Sequence, residues 1–280
     1  MRTVSDNSAD PERGRSSEID TTVPQSARVW NYFLGGKDNF AVDREVGDQY
    51  RKTFPGIIDI ARTDRAFLGR AVRHLAGEAG VRQFLDIGTG LPTMDNTHEV
   101  AQRVAPEAKI VYVDNDPLVL VHARALLTST PQGACKYIEA DLREPDKILE
   151  GAAETLDFGK PVAVMLLAIL QFIPDFDRSY EIVMRLLAAM PSGSYLALTH
   201  ATLDLGGQPD MDANAEAQRT WNERAAETIT PRSRDQILRY FDGLELLEPG
   251  LVSLPQWRPE AVQRGEPGVV AGFCGVGRKP

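Results

Sequence analysis

At 280 residues and 42% hydrophobic composition, the chain has enough apolar material for one globular domain with a sizeable core and short appendages. Its formal net charge of -9 argues against a nucleic-acid partner, which needs a basic face, and no apolar run approaches the roughly 18 residues of a membrane span. Two cysteines, Cys135 and Cys274, and four histidines without ligand spacing argue against a disulfide framework or a metal site.

Met1 to Ser26 is rich in Ser, Asp, Arg, Thr and Pro and poor in large apolar residues. It lacks the apolar centre of a signal peptide, so residues 1–26 are expected to be a disordered or loosely packed tail on a cytoplasmic protein. Residues 27–80 are expected to form an N-terminal helical lid or cap. There Trp30, Tyr32, Phe33 and Leu34 precede Gly35-Gly36, followed by Lys37, Asp38 and Asn39. One reading is a short amphipathic helix ended by its glycines. A helix end needs only one glycine, so the pair reads better as the hinge of a lid. Tyr32 and Gly35 would then lie over a cofactor. Asn31, Lys37 and Asn39 would face a substrate, with Asp38 a catalytic candidate. Ile57 to Ala79 is predicted helical, with Phe67, Ala71 and Leu75 at core spacing. Arg62, Arg65, Arg70 and Arg73 read as a mostly solvated face, with Arg65 pointing into the site as the lesser option.

Residues 81–280 are expected to form the main α/β domain. Phe84 to Pro92 reads as a buried strand, a glycine turn and the approach to a helix that starts near Asn96 or Thr97. Gly88 and Gly90 let a ligand come close to the backbone, because glycine has no Cβ to hold it off. A dinucleotide loop wants G-x-G-x-x-G, but Thr93 stands where the third glycine belongs. The run Asp86-Ile87-Gly88-Thr89-Gly90 instead suits S-adenosylmethionine. That ligand has no phosphate, so an acid can stand near its ammonium and sulfonium groups.

Further strands repeat the arrangement. Lys109 to Val113 ends in Asp114, Asn115 and Asp116, with Pro117 suited to the first helical position. Asp114 is placed for ribose hydroxyls at the carboxyl edge of the sheet. Tyr137 to Ala140 ends in Asp141-Leu142, placed for an adenine. Val162 to Leu167 leads into Ala168 and Phe172, a loop that would border a reacting methyl. Ser179 is predicted to cap the next helix, and Ser194 to Thr199 to form a strand with His200 at its tip. A histidine there suits acid-base work or a purely structural role, without preference. Gly206 to Asp212 reads as a mobile polar loop. Ala215 to Ala226 reads as a helix with Trp221 turned inward to a substrate, and Ser233 with Gln236 as a capping box. Leu251 to Leu254 and Val269 to Val276 are predicted as a final hairpin around the loop Pro259 to Gly268.

Four β-α units in register define a Rossmann-like sheet of the class I methyltransferase type, mostly parallel with an antiparallel last strand and helices on both faces. The expected reaction is methyl transfer from S-adenosylmethionine to a small molecule, in an assembly of unspecified size. Alternatives are a non-catalytic S-adenosylmethionine sensor and, less favoured, a nicotinamide-dependent oxidoreductase.

Ala27 to Phe40, Gln83 to Thr93, His98 to Ala101, Val111 to Pro117 and Thr199 to Thr202 also resemble a known family. It is the group of actinobacterial S-adenosylmethionine-dependent methyltransferases once catalogued as a domain of unknown function. The resemblance covers nearly everything after about Gln25. It implies the same cofactor and fold, and no particular acceptor. Asp64 is a departure, since asparagine is expected before Arg65 in that family.

Overall fold

Short apolar runs closed by Asp or Gly give the strands, and the computed structural model describes residues 19–126, 128–205, 210–260 and 267–280. The strands are β1 (Gln83–Ile87), β2 (Lys109–Asp114), β3 (Ala134–Glu139), β4 (Ala163–Leu167), β5 (Tyr195–Ala201), β6 (Glu245–Leu246), β7 (Val252–Ser253) and β8 (Gly272–Arg278). They lie in one sheet in the order β3-β2-β1-β4-β5-β8-β6, with β7 also paired to β8. The first five are parallel, and β8 runs antiparallel against β5 from Tyr195↔Arg278 to Ala201↔Gly272.

Alternation along the strands supplies two buried faces. Leu85, Ile87, Val111 and Val113 meet α6 (Pro145–Ala153), α7 (Phe176–Ala188) and α9 (Arg234–Arg239) through Ile148, Ile182, Leu186 and Ile237. Phe84, Ile110, Tyr112 and Met165 on the other face meet α3 (Ile57–Gly77) and α4 (Thr97–Val104) through Phe67, Leu75 and Val100. Helix α3 therefore belongs to the sheet core, although the sequence groups it with the N-terminal segment. Of its arginines, Arg62 and Arg73 are exposed, whereas Arg70 is engaged, donating from Nη2 to the Leu254 carbonyl at 2.7 Å and from Nε to that of Trp257 at 2.8 Å.

A separate apolar cluster forms a helical cap. Val29 and Phe33 of α1 (Ser26–Phe33), Val46 and Tyr50 of α2 (Ala41–Thr53), and Ala217 and Trp221 of α8 (Met211–Arg224) pack together. Aromatic edges join the pieces, Phe33 to Tyr50 at 6.1 Å and Tyr50 to Trp221 at 6.3 Å between centroids. Two of these helices precede the sheet and one is inserted after β5. The cap is thus assembled from both ends of the chain and does not coincide with residues 27–80.

Several local expectations change. Asp175, not Ser179, caps α7, accepting the Arg178 amide at 3.1 Å. Ser179 lies within the helix, its hydroxyl 2.7 Å from the Tyr240 hydroxyl. His200 is inside β5, not beyond its tip. Helices α2 and α6 and strand β6 are additions to the predicted set. Of the proposed tail, residues 1–18 lie outside the described residues. The part that follows them is tied down: Arg28 Nη1 donates to the Asp20 carbonyl at 2.7 Å and the Gln25 amide to Asp43 at 3.0 Å. Residues 206–209 of the predicted polar loop and 261–266 of the hairpin loop also lie outside the described residues. No helix among the described residues is long and apolar enough to cross a membrane.

Candidate active site

The order β3-β2-β1-β4-β5 reverses its winding beside β1, and ligands of such sheets sit at the carboxyl edge there. The loop after β1 is built for close approach. Gly88 and Gly90 have φ of +73° and +67°, which favour glycine. A Cβ on Gly88 would lie 2.5 Å from the Ile169 side chain, whereas one on Gly90 would enter open space. The Gly90 amide donates to Asp114 Oδ2 at 2.7 Å, tying this loop to the end of β2. Asp114 also accepts the Asp116 amide at 3.0 Å, and Asp116 caps α5 (Pro117–Leu126) through the Leu118 amide. Asp86 accepts the Thr97 hydroxyl at 2.6 Å.

These residues face a cleft of about 1220 Å³, open to solvent, whose walls also include Thr89, Asn115, Asp141, Leu142, Ala168, Phe172 and Asn31. Asn115 Nδ2 donates to Asp141 at 3.1 Å across the β2 and β3 ends. The sequence thus placed the strand-end residues in one cleft. It named neither Trp30, Gln171 nor Glu227 as a site residue, set Arg65 aside as the lesser option, and gave Asp64 no role there, yet all five line the cleft. Trp30 stood in a conspicuous aromatic cluster, but nothing local marked Gln171 or Glu227.

The cleft is acidic. Asp64, Asp86 and Asp114 are buried and none forms an ion pair among the described residues. Burial is the main cause that lifts each carboxyl from 3.8 to about 6, against the hydrogen bonds that oppose it. Glu227, bonded to the Ser26 hydroxyl, is also raised by burial. Three carboxylates without an ion-pair partner in one cleft suit a cationic ligand, which would restore their ionised forms.

A second, more apolar chamber of about 650 Å³ lies behind the cleft. Trp30, Asp64, Ala168, Gln171 and Phe172 belong to both walls, and Phe33, Tyr50 and Trp221 of the cap close the far side. Trp221, expected from the sequence to contact a substrate, lines this chamber, with Nε1 donating to the Glu227 carbonyl at 2.7 Å.

Other predicted residues are elsewhere or otherwise engaged. His200 borders the chamber, but its Nδ1 is 2.7 Å from the Ala201 carbonyl and its Nε2 is 2.8 Å from Arg232 Nη1. Both nitrogens are committed, and burial pushes its pKa down to about 3, so it is a neutral structural histidine rather than a base. The Gly35-Gly36 pair is a helix cap, not a hinge. The Gly36 amide donates to the Asn31 carbonyl at 2.8 Å and the Gly35 amide to that of Tyr32 at 3.0 Å, the paired bonds of a Schellman motif. The second glycine has its own reason, since a Cβ there would lie 2.3 Å from the Asn31 side chain. Asn31 Oδ1 in turn accepts the Asp38 amide at 3.1 Å and Asn39 Nδ2 at 3.0 Å. Asn39 is thus a buried strut, Lys37 is exposed, and Asp38 and Gly35 line an outer groove rather than the cleft. Tyr32 points away as well, its hydroxyl donating to Asp48 at 2.7 Å.

Sheet order, glycine loop and acidic strand ends define a class I S-adenosylmethionine-dependent methyltransferase. The chain belongs to the S-adenosyl methyltransferase family, whose model matches residues 12–280, and its cofactor is S-adenosylmethionine. It is similar to a DUF574 family protein of Streptomyces avermitilis MA-4680, with 43% identity over 94% of this chain and 100% of that one and a TM-score of 0.87. A Thermobifida fusca YX protein described as a candidate methyltransferase shares 42% identity over 94% of this chain and 97% of its own, with a TM-score of 0.83. The mitomycin 7-O-methyltransferase MmcR, at 14% identity over 90% of this chain and 71% of its own and a TM-score of 0.51, shares the fold. No match is found among curated proteins.

Proposed function

We propose that this methyltransferase acts on a small molecule held in the inner chamber. The carrying observation is the chamber itself: about 650 Å³, walled by cap and sheet, and joined to the cofactor cleft through Asp64, Ala168 and Phe172. Asp86 and the Gly88 to Gly90 backbone would hold the methionine end of the cofactor, Asp114 the ribose, and Asp141 with Leu142 the adenine. When bound, S-adenosylmethionine supplies a methyl on a sulfonium leaving group. The chain's own task is then to orient the acceptor and keep water out.

The test supplies S-adenosylmethionine labelled in its methyl group together with two fractions of a cell extract, one passing and one retained by a membrane that holds back protein and nucleic acid. Label in the low-mass fraction is the expected result. Label only in retained macromolecules sinks the small-molecule reading.

A further inference from the structure

The inner chamber has a chemical character that narrows its occupant, and Asp64 is its one ionised group. The choice of occupant rests on the proposal that the chamber takes the methyl acceptor. Its walls are largely apolar and aromatic, and neither lysine nor arginine lines it among the described residues. Among the described residues, the only lining side chains ionisable near neutral pH are Asp64 and His200, and His200 is held neutral with both nitrogens engaged. An anionic acceptor would meet a lone carboxylate with nothing to neutralise its own charge.

The setting of Asp64 is specific. The Thr199 hydroxyl oxygen accepts the Ala168 amide at 2.8 Å. Its single proton is therefore directed at Asp64 Oδ1, 2.6 Å away. Ala168 adopts φ of +52°, a left-handed conformation unusual for alanine, at the junction of cleft and chamber. The relay satisfies Oδ1 and fixes the carboxylate plane. Oδ2 has no hydrogen-bond partner among the described residues, in a side chain that borders both cavities.

We infer that the chamber binds an uncharged aromatic molecule bearing a phenolic hydroxyl, and that Asp64 Oδ2 receives the proton of that hydroxyl as it is methylated. The acceptor oxygen forms the new O–CH₃ bond as the S–CH₃ bond breaks. The bonding pair stays on sulfur, leaving neutral S-adenosylhomocysteine. The phenolic proton passes to the Asp64 carboxylate and is later lost to solvent through the cleft. A phenol, with a pKa of about 10, is within reach of a carboxylate base acting in concert, whereas an aliphatic alcohol is far less so. Burial supports the role by lifting Asp64 to about 6, so that it is ionised at neutral pH yet more basic than a surface carboxylate. The charged and titratable groups around it are Arg65 on its own helix, Asp86 from β1, Tyr50 from α2, His200 from β5 and Cys274 from β8.

The experiment compares 2-naphthol with 2-naphthoate by equilibrium dialysis against protein saturated with S-adenosylhomocysteine, at slightly alkaline pH. The two share one ring system, and only naphthoate is charged. At least tenfold weaker binding of naphthoate is expected for the native protein, with Asp64→Asn narrowing the gap by admitting the anion. With S-adenosylmethionine kept saturating at every pH, formation of 2-methoxynaphthalene should lose rate on the acid side of about pH 6 in the native protein, and Asp64→Asn should lack that limb. If Asp64→Asn no longer binds S-adenosylhomocysteine, Thr199→Val reports instead. Losing the bond to the charged carboxylate should move its acid limb to higher pH. Failure of 2-naphthol to bind, naphthoate binding as tight as naphthol, or an acid limb unchanged in the variant overturns the inference. S-adenosylhomocysteine binding measured on the same samples keeps the two proposals apart. Its absence from native protein removes the active-site reading, whereas its presence beside any of those results removes only the phenol and Asp64.

Discussion

The cofactor half and the cap half of this molecule are built by different rules. At the proposed cofactor edge, the acids that the sequence marked sit within two residues of a strand end, so their place follows from a local pattern. Asp86, Asp114 and Asp141 are set this way by β1, β2 and β3. In the cap, position depends on partners far along the chain. Tyr50 of α2 donates to Asn214 of α8 at 3.0 Å across 164 residues, and on the sheet side of the chamber Asp64 owes its orientation to Thr199 across 135 residues. The lesson is that the cofactor chemistry of a fold can be local while its selectivity is assembled over long range.

The strongest separation of the two halves is expected from Trp221→Ala. This buried ring joins α8 to α2 and does not line the cofactor cleft. Its loss should cost about 3–5 kcal/mol of stability in urea unfolding, with much less effect on S-adenosylmethionine affinity measured without denaturant. Equal damage to both would mean that the halves are one cooperative site.

Asp114→Ala is the converse. It removes the acceptor of the Gly90 and Asp116 amides and of the proposed ribose contact. Cofactor binding should weaken by about 1.5–3 kcal/mol, tenfold or more, by calorimetry. An unchanged dissociation constant would place the ribose elsewhere.

Acidity probes all three cleft carboxylates together. Asp64, Asp86 and Asp114 have folded values of about 6, above their ordinary 3.8. The folded protein therefore binds protons more tightly than the unfolded chain from about pH 4 to 6. Stability without cofactor should fall as pH rises through that window and level off above it. A cationic ligand needs the ionised forms, so S-adenosylmethionine affinity should move the other way. A drop of about tenfold from pH 7 to 5 is expected if one such group must be ionised. S-adenosylhomocysteine, without the sulfonium charge, is the control and should drop less; parallel curves would remove the electrostatic account of the cleft.

The smallest effect is expected where the sequence pointed most plausibly and the structure disagreed. Lys37→Ala and Asp38→Ala should each leave cofactor affinity within about twofold, as substitutions outside the cleft. A larger loss by calorimetry would return the Arg28 to Phe40 segment to the active site as a lid.

The sheet was legible because its signals are short: β2 and β4 stand within a residue of their predicted ends, and the antiparallel last strand follows them. The glycine pair misled because two causes look alike in one dimension. Gly35 closes the helix and Gly36 makes room for Asn31, and neither reason requires a hinge. His200 misled for a related cause. A strand-tip histidine is available for chemistry only if both ring nitrogens are not already spoken for, and Arg232 is 32 residues away. Asp64 was hidden in a helix rich in arginine, and its burial comes from the sheet beneath it.

Arg28 gives the cap its mechanical character. Its guanidinium grips Asp116 with Nε at 3.1 Å and Nη2 at 3.2 Å, and both side chains are almost wholly buried. Asp116 is the residue whose amide holds Asp114. Swinging α1 away would carry Arg28 off and leave the Asp116 carboxylate without its partner, a penalty on the order of 3–5 kcal/mol for breaking a buried pair. Helix α1 therefore behaves as a bolt anchored in the cofactor half.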